Sequence, residues 1–344
     1  MRVEINNIKN RSKSIFEKVG LSKEDAEIIT EVLLETELRG VFTHGFLRLE
    51  RYVNCIKSGG IKTDGEYEVI YDSPSWASVD GKDNLGIVIS YKAMKLAMEK
   101  AKQTGVGIVN VKGSHHFGAA GYYTSMCADN DMVGMSMSNG DILIAATGSA
   151  EKTIGNNPFS YAFPADKYGK VVYDIAMSYT SDRKVVQMDK EGKELPPGWI
   201  IDKDGKPTTD PGEYEKGGTL LPFGGYKGYG MAMMVETLAA TLSGAAMTKN
   251  VHAWNTNEAC GGNVGHFFMA LDISKLGNPA EYKQRVDAMI DEIKNSKKAE
   301  GVQKIYYPGE IEMDKMAKSK ESGYVEIADE TMEAVERTEK SLGL

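Results

Sequence analysis

The chain has 344 residues, a net charge of −8, and 41% hydrophobic and 26% charged residues, a composition typical of a globular protein with a large core. The mixed charges argue against a nucleic-acid partner, and no apolar run reaches the roughly 20 residues of a membrane span. Three widely spaced cysteines without a C-x-x-C motif argue against a disulfide framework and a metal site. The first residues lack the apolar core of a signal peptide, so we expect a cytoplasmic protein.

The first fifty residues have the apolar spacing of helices. Ser22 opens a capping-box variant, and the helix that follows it should end near Gly40. If another helix begins near Gly45, Arg48 and Tyr52 lie four residues apart on one face. A guanidinium fork beside a hydroxyl could hold a carboxylate. From spacing alone, a surface arginine paired with an acid such as Glu50 is the favoured alternative.

The next segment alternates strands and helices, which predicts an α/β fold. Strands are expected at residues 77–79, 106–111 and 132–137, and helices at residues 87–103 and 119–129. Two adjacent histidines, His115 and His116, lie between a strand end and a helix start, where such folds present catalytic side chains. For either histidine alone, the alternative is a buried imidazole bonded to the backbone.

Further strand ends carry polar residues. Asp141 lies in a loop after the strand at residues 132–137, and could orient His116, bind a polar group of a substrate, or serve as a turn residue. A tight turn at residues 155–158 precedes a strand at residues 159–163, and another strand follows at residues 171–176. Residues 196–212 are rich in Gly, Pro and Asp and predict an irregular excursion.

The stretch from Leu220 to Gly230 is dense in glycine, contains Lys227 and leads into a helix predicted at residues 231–242. Such a loop can bind an anion through backbone N–H groups and the helix dipole, or its glycines can serve helix–sheet packing. It matches neither the P-loop motif nor G-x-G-x-x-G. Toward the C-terminus we expect strands at residues 267–273, 302–307 and 324–327, and a helix at residues 279–295.

Several blocks together resemble the malate/L-lactate dehydrogenase family of the non-Rossmann type, which includes malate, L-sulfolactate and ureidoglycolate dehydrogenases. They are R-G-V-F-T-H-G-F-L-R-L from Arg39, H-H-F-G-A-A-G-Y-Y from His115, G-N-N-P-F from Gly155 and L-L-P-F-G-G-Y-K-G-Y-G from Leu220. Two shorter blocks, N-V-G-H-F-F and Y-P-G-E, add weaker support. Any single block is weak evidence, but their order over nearly the full length is specific.

The resemblance implies an α/β protein with a mixed-sheet, non-Rossmann cofactor-binding domain at residues 76–273. Residues 1–75 and 274–344 would form a mainly helical domain from both chain ends. It also implies a homodimer with the active site near the subunit interface. The implied reaction is hydride transfer between NAD or NADP and a small 2-hydroxy or 2-oxo acid. Malate is favoured, then lactate or sulfolactate, while the resemblance implies that ureidoglycolate enzymes carry an arginine where this chain has Gly262.

The resemblance also implies site residues, with His116 as the proton carrier and Arg48 as the group that holds the substrate carboxylate. The predicted catalytic residues are His116, Arg48, His44, Tyr52 and Asp141. The predicted cofactor-binding residues are Asn139, Gly155, Asn157, Asp174, Ala176, Lys227, Gly228 and Gly309. Two rival interpretations are a non-catalytic nucleotide-binding regulator and a metal-dependent hydrolase that uses His44, His115 and His116.

Overall fold

The computed structural model describes residues 1–254 and 257–344. Its α-helices are α1 (Ile5–Lys18), α2 (Lys23–Leu38), α3 (Leu49–Lys57), α4 (Gly86–Thr104), α5 (Ala120–Ala128), α6 (Asp182–Lys190), α7 (Tyr226–Glu236), α8 (Pro279–Lys294), α9 (Glu310–Ser322) and α10 (Asp329–Leu342). None of the helices in the described ranges is long and apolar enough to cross a membrane.

The strands follow the alternation that the sequence predicts. They are β1 (Arg2–Glu4), β2 (Glu68–Asp72), β3 (Trp76–Asp80), β4 (Val106–Ser114), β5 (Met132–Ser138), β6 (Ile142–Ala145), β7 (Lys152–Gly155), β8 (Phe159–Pro164), β9 (Lys170–Ile175), β10 (Ile200–Ile201), β11 (Pro207–Thr208), β12 (Thr219–Leu220), β13 (Val264–Asp272) and β14 (Tyr324–Glu326).

Two mixed sheets form the centre of the molecule. The larger has the order β2-β3-β4-β13-β5-β8-β9, in which β3 and β4 are parallel and the other neighbours antiparallel. The smaller has the order β11-β10-β12-β6-β7, with β12 and β6 parallel. A Rossmann sheet is mostly parallel, so the predicted mixed-sheet, non-Rossmann fold is confirmed.

Helices from both chain ends share one apolar core. Ile15 of α1, Leu33 of α2 and Val335 of α10 are buried together, and strands β1 and β14 pair the two ends directly. Helix α8 packs elsewhere, because its Ile290 belongs to a cluster with Val171 of β9. The predicted boundaries between the helical domain and the cofactor-binding domain, at residues 75/76 and 273/274, stay predictions.

The helix boundaries have local causes. Ser22 caps α2 by accepting a hydrogen bond from the Asp25 amide, as its capping motif predicts. Helix α4 ends at Gly105, whose φ of 90° is the left-handed conformation common after a helix. The first turns after residue 40 are 3₁₀ turns, Phe42–His44 and Phe46–Arg48, so α3 begins later than expected.

One predicted strand is wrong, and one predicted helix begins earlier than expected. Residues 302–307 are not a strand: Val302 and Tyr306 are exposed, and the segment approaches β9 through the Val172 amide, which donates to the Pro308 carbonyl. The apolar residues in this segment were therefore not evidence of a strand. Helix α7 begins at Tyr226 rather than at residue 231 and continues into a π-helical turn, Thr237–Thr241. The last five residues of the glycine-dense stretch are thus inside the helix.

Candidate active site

The candidate site is a cavity of about 660 Å³ between the ends of the larger sheet and helices α2, α5, α6 and α9. Its size is within the usual range for a small-molecule or cofactor site. Nine of the predicted site residues line it: His44, Arg48, His116, Asn139, Asp141, Asn157, Asp174, Ala176 and Gly309. The cavity therefore collects residues that lie up to about 270 positions apart in the chain.

His116 lies between two aromatic rings in this cavity. Its imidazole stacks on Trp254, with ring centroids 4.4 Å apart and planes inclined by 12°. On its other side, the His44 ring lies 5.5 Å away at 17°. Nδ1 of His116 is 2.6 Å from the Tyr52 hydroxyl oxygen, and the Gly118 amide lies farther away, at 3.4 Å. Stacking and hydrogen bonding together fix the plane of the imidazole.

The surroundings keep the histidines neutral at pH 7. Burial lowers the pKa of His116 well below its ordinary value, and the neighbouring His44 and Arg48 lower it further. Burial, with smaller effects from Arg48 and Arg183, lowers the pKa of His44 to about 4. Burial raises the pKa of Tyr52 far above its usual value, so its hydroxyl keeps its proton. A neutral imidazole can accept a proton from an alcohol.

Arg48 lies at the start of α3 and faces the cavity. Its Nε donates to the Thr43 carbonyl at 2.7 Å, and its guanidinium carbon lies 5.6 Å from the centre of the Trp254 ring. In the described part of the chain, Arg48 forms no ion pair, whereas Glu50 pairs with Arg337. The sequence alternative of a surface Arg48–Glu50 pair is therefore wrong. A guanidinium without a counterion in a cavity suits an anionic ligand.

A buried carboxyl group positions the loop that carries His44 and Arg48. Glu37 of α2 is 2% exposed, and its Oε2 accepts a hydrogen bond from the Phe46 amide at 2.9 Å. Burial raises the pKa of Glu37 to about 7. Gly45 allows this contact, since a Cβ there would lie 1.9 Å from the Glu37 oxygen. Nothing in the sequence indicated this role of Glu37.

A second buried carboxylate holds two of the predicted cofactor residues. Glu236 of α7 accepts hydrogen bonds from the Asn157 amide nitrogen at 2.8 Å and from the Asn139 amide nitrogen at 3.4 Å. The Thr248 backbone amide also donates to it, at 2.8 Å. In this arrangement Asn157 is fully buried, and its Oδ1 has no hydrogen-bond partner among the described residues. Such an oxygen is an acceptor that a ligand could use.

Other predicted residues line the part of the cavity bounded by α2, β9 and α9. Asp174 accepts a hydrogen bond from the Gly121 amide at 2.7 Å, and Glu312 of α9 lies at the same wall. Gly309 has a φ of 89°, and a Cβ there would lie 2.7 Å from the Val172 carbonyl oxygen. Glycine is therefore required for this close approach.

Four predicted site residues do not line the cavity. Tyr52 lies behind it and reaches it through His116, so its hydroxyl does not form the expected clamp with Arg48. Gly155, Lys227 and Gly228 are outside the lining, and Lys227 is exposed on the first turn of α7. Asp141 is at the cavity wall, but in the described part of the chain no hydrogen bond connects it to His116. Burial raises its pKa.

The structure adds residues that the sequence did not indicate. Trp254, which stacks on His116, has no motif around it. Arg183 lies at the start of α6 and also lines the cavity. His115 is buried beside Trp254, and neither of its ring nitrogens has a hydrogen-bond partner among the described residues. In those same residues, no group of three or more His, Cys, Asp or Glu is placed to hold a metal ion.

Comparison with known proteins decides the family. The family model described as malate/L-lactate dehydrogenase matches residues 3–336. The chain belongs to this family. It is 41% identical over 333 residues to a malate dehydrogenase of Pyrococcus abyssi, which covers 94% of this chain and 91% of that protein. A ureidoglycolate dehydrogenase (NAD(+)) of Escherichia coli is 29% identical over 313 residues, 91% of this chain and 88% of that protein.

The family fold also matches a solved structure. The sulfolactate dehydrogenase of Methanocaldococcus jannaschii superposes with a TM-score of 0.94 at 36% identity, covering 100% of this chain and 98% of that chain. This chain is accordingly an oxidoreductase of the 2-hydroxyacid dehydrogenase type, as the sequence blocks predicted. A regulator without catalysis and a metal-dependent hydrolase do not fit this membership. The roles of the individual site residues stay predictions.

Proposed function

We propose that this dehydrogenase interconverts malate and oxaloacetate, with His116 moving the proton and Arg48 binding the carboxylate next to the reacting carbon. The observation that carries the proposal is the presence of a fixed, neutral imidazole and a guanidinium at one end of one cavity. Among the described residues, that guanidinium has no counterion. Malate is preferred because the malate dehydrogenase relative is 41% identical, against 38% for an L-sulfolactate dehydrogenase and 29% for the ureidoglycolate enzyme.

The residues at the cavity fit a nicotinamide dinucleotide. The unpaired Oδ1 of Asn157 can accept a hydrogen bond from a carboxamide NH₂ group, and Glu236 holds the Asn157 side chain in place. At the other wall of the cavity, glycine at position 309 allows the chain to pass close to the Val172 backbone. A bound dinucleotide would supply the acceptor or donor of the hydride.

His116 would take the proton from the substrate hydroxyl during oxidation. Its Nε2 accepts a proton in the tautomer in which Nδ1 carries the ring hydrogen and donates it to the Tyr52 oxygen, 2.6 Å away. In that tautomer Nδ1 no longer accepts the longer hydrogen bond from the Gly118 amide, at 3.4 Å. During reduction the protonated ring returns the proton to the new alkoxide. A bound anionic substrate would favour the charged imidazolium and so raise the low pKa of His116.

The acidic wall of the cavity favours NAD over NADP. Asp174 and Glu312 line the cavity, and they would hold the adenosine half of a dinucleotide whose nicotinamide lay beside His116. A carboxylate can accept a hydrogen bond from a ribose 2′-hydroxyl but repels a 2′-phosphate. Arg39 does not offset this, since it pairs with Glu35 and donates to the Ser125 hydroxyl.

We also propose a homodimer in the cytosol. The exposed face of α7 and the following segment carry Tyr226, Met233, Met234, Leu242 and Met247, an apolar surface of the kind that subunit interfaces bury. Lys227 lies on the same helix, which would place it near a neighbouring subunit. Three unpaired cysteines suit a reducing compartment.

A substrate screen tests the proposal. NADH oxidation is measured with oxaloacetate, pyruvate, sulfopyruvate and oxalurate, and repeated with NADPH. We expect the highest kcat/KM for oxaloacetate with NADH. A higher value for oxalurate or sulfopyruvate would contradict the malate assignment, and turnover of none of the four acids would overturn the proposed activity.

A further inference from the structure

The cavity contains a second arginine that the assigned chemistry leaves unused. Arg183 is the second residue of α6, at the open side of the cavity, and its guanidinium has no ion-pair partner in the parts of the chain that the structure describes. Four other arginines, Arg11, Arg39, Arg51 and Arg337, each pair with a carboxylate. Arg48 and Arg183 are thus two unpaired guanidinium groups in the same cavity.

Arg183 is close to the reactive end of the cavity. After burial, its charge is the largest influence that lowers the pKa of Arg48, and it also contributes to the lowered pKa of His44. The repulsion between two guanidinium groups disfavours an empty site and is relieved when an anion binds between them. A ligand with two anionic groups could contact both arginines.

Among the described residues, the carboxylates near Arg48 and Arg183 do not neutralise the two positive charges by direct ion pairing. Asp182 accepts a hydrogen bond from the Arg183 backbone amide at 2.8 Å, so one of its oxygens is turned toward its own helix. Asp141 also lines the cavity, and burial followed by the Asp182 charge raises its pKa. Neither carboxylate forms an ion pair with Arg48 or Arg183 within the described residues.

We propose that Arg183 binds the distal anionic group of the substrate and makes the enzyme select four-carbon 2-oxo diacids over 2-oxo acids with one anionic group. This inference rests on the proposed function and specifies its substrate class. Arg48 would bind the carboxylate next to the reacting carbon, and Arg183 the carboxylate at the opposite end. The distal group could also be a sulfonate, which has the same charge.

The test compares Arg183→Ala with Lys190→Ala on oxaloacetate, sulfopyruvate and pyruvate. Lys190 is at the exposed C-terminal end of the same helix, outside the cavity, so its variant removes one positive charge without touching the site. We expect Arg183→Ala to raise KM for oxaloacetate at least about tenfold, the loss typical of a charge-assisted hydrogen bond. Its kcat/KM for pyruvate should stay within about threefold of the unchanged enzyme.

The outcomes are distinguishable. Arg183→Lys should recover part of the oxaloacetate KM, because it restores the charge but not the bidentate fork. An equal loss with pyruvate and oxaloacetate, or no change with either, would overturn the role of Arg183. An equal rise in KM in Lys190→Ala would show a long-range effect of charge. This result would also overturn the role of Arg183. If the proposed function itself is wrong, the enzyme without any substitution will reduce none of these acids.

Discussion

The Tyr52 hydroxyl oxygen and Nδ1 of His116 are 2.6 Å apart, although 64 residues separate them in the chain. Tyr52 is fully buried on α3, while His116 follows β4, so this contact joins the helical core to the C-terminal end of a strand in the larger sheet. It determines which imidazole nitrogen faces the cavity and therefore which one can exchange a proton with a substrate.

Replacing Tyr52 by Phe removes this contact and retains the ring. We expect kcat to fall roughly fivefold, since a buried hydrogen bond contributes about 1 kcal/mol and 1.4 kcal/mol corresponds to a factor of ten. The dissociation constant of NADH, measured by fluorescence titration, should change little. A kcat equal to that of the unchanged enzyme would mean that stacking alone orients His116.

Gly45 allows Glu37 to hold the loop of His44 and Arg48. In Gly45→Ala, the new Cβ would meet the Glu37 carboxylate, so we expect a loss of about 1–3 kcal/mol in the free energy of unfolding and a higher KM for the acid substrate. Gly277→Ala is the matched control, because a Cβ there meets open space. Equal urea midpoints for the two variants would contradict this role of Glu37.

Glu236 is expected to act on cofactor binding through Asn139 and Asn157. Glu236→Gln replaces one acceptor by a donor that faces amide nitrogens, so NADH should bind about tenfold more weakly. Glu215→Gln, an exposed position outside the cavity, serves as the control. Calorimetric titration of both variants gives the comparison, and identical affinities would show that Glu236 does not organise the cofactor residues.

Buried histidines should make the protein less stable in acid. Burial lowers the pKa of His115 to about 4 and that of His266 to about 3. The unfolded chain binds protons on these residues below about pH 6.5, while the folded protein does not. The free energy of unfolding should therefore fall as the pH drops from about 6.5 to 4.

Glu37 opposes this trend, because its raised pKa of about 7 makes the folded state the better proton acceptor down to about pH 4.5. Asp141 and Asp174, whose pKa values burial also raises, act in the same direction as Glu37. The four buried histidines with lowered pKa values, His44, His115, His116 and His266, outweigh these three carboxyl groups. Urea unfolding across the range measures the net slope, and His266→Gln should reduce it. A free energy of unfolding that rises toward pH 4 would contradict the assignment of neutral buried histidines.

The sequence predicted residues that act next to their own strand ends. His116 and Asp141 follow strands of regular apolar pattern, and Arg48 falls within a recognisable block, so their placement at a cavity could be predicted locally. Trp254 and Glu236 could not, because their roles depend on how the chain after α7 returns to β13. A contact between segments that are far apart in the chain has no local sequence pattern that would predict it.

The glycine-dense stretch shows the limit of motif interpretation. Gly225 has a φ of 65° and directly precedes α7, as a loop that opens a helix should. Gly228, however, is required because a Cβ would lie 2.3 Å from the Phe223 carbonyl oxygen, which is a packing reason. Lys227 is exposed and does not line the cavity. The sequence left two interpretations of this stretch, an anion-binding site and helix–sheet packing. This chain by itself shows the packing contact.

His116 carries the central claim, and its replacement tests it most directly. Single-turnover oxidation of NADH by oxaloacetate is followed in His116→Gln, together with NADH binding and the circular dichroism spectrum. We predict a rate roughly 10²- to 10⁴-fold lower, the usual contribution of a positioned acid–base group, with NADH affinity and folding retained. A near-normal rate of hydride transfer in a folded variant that binds NADH would contradict the account.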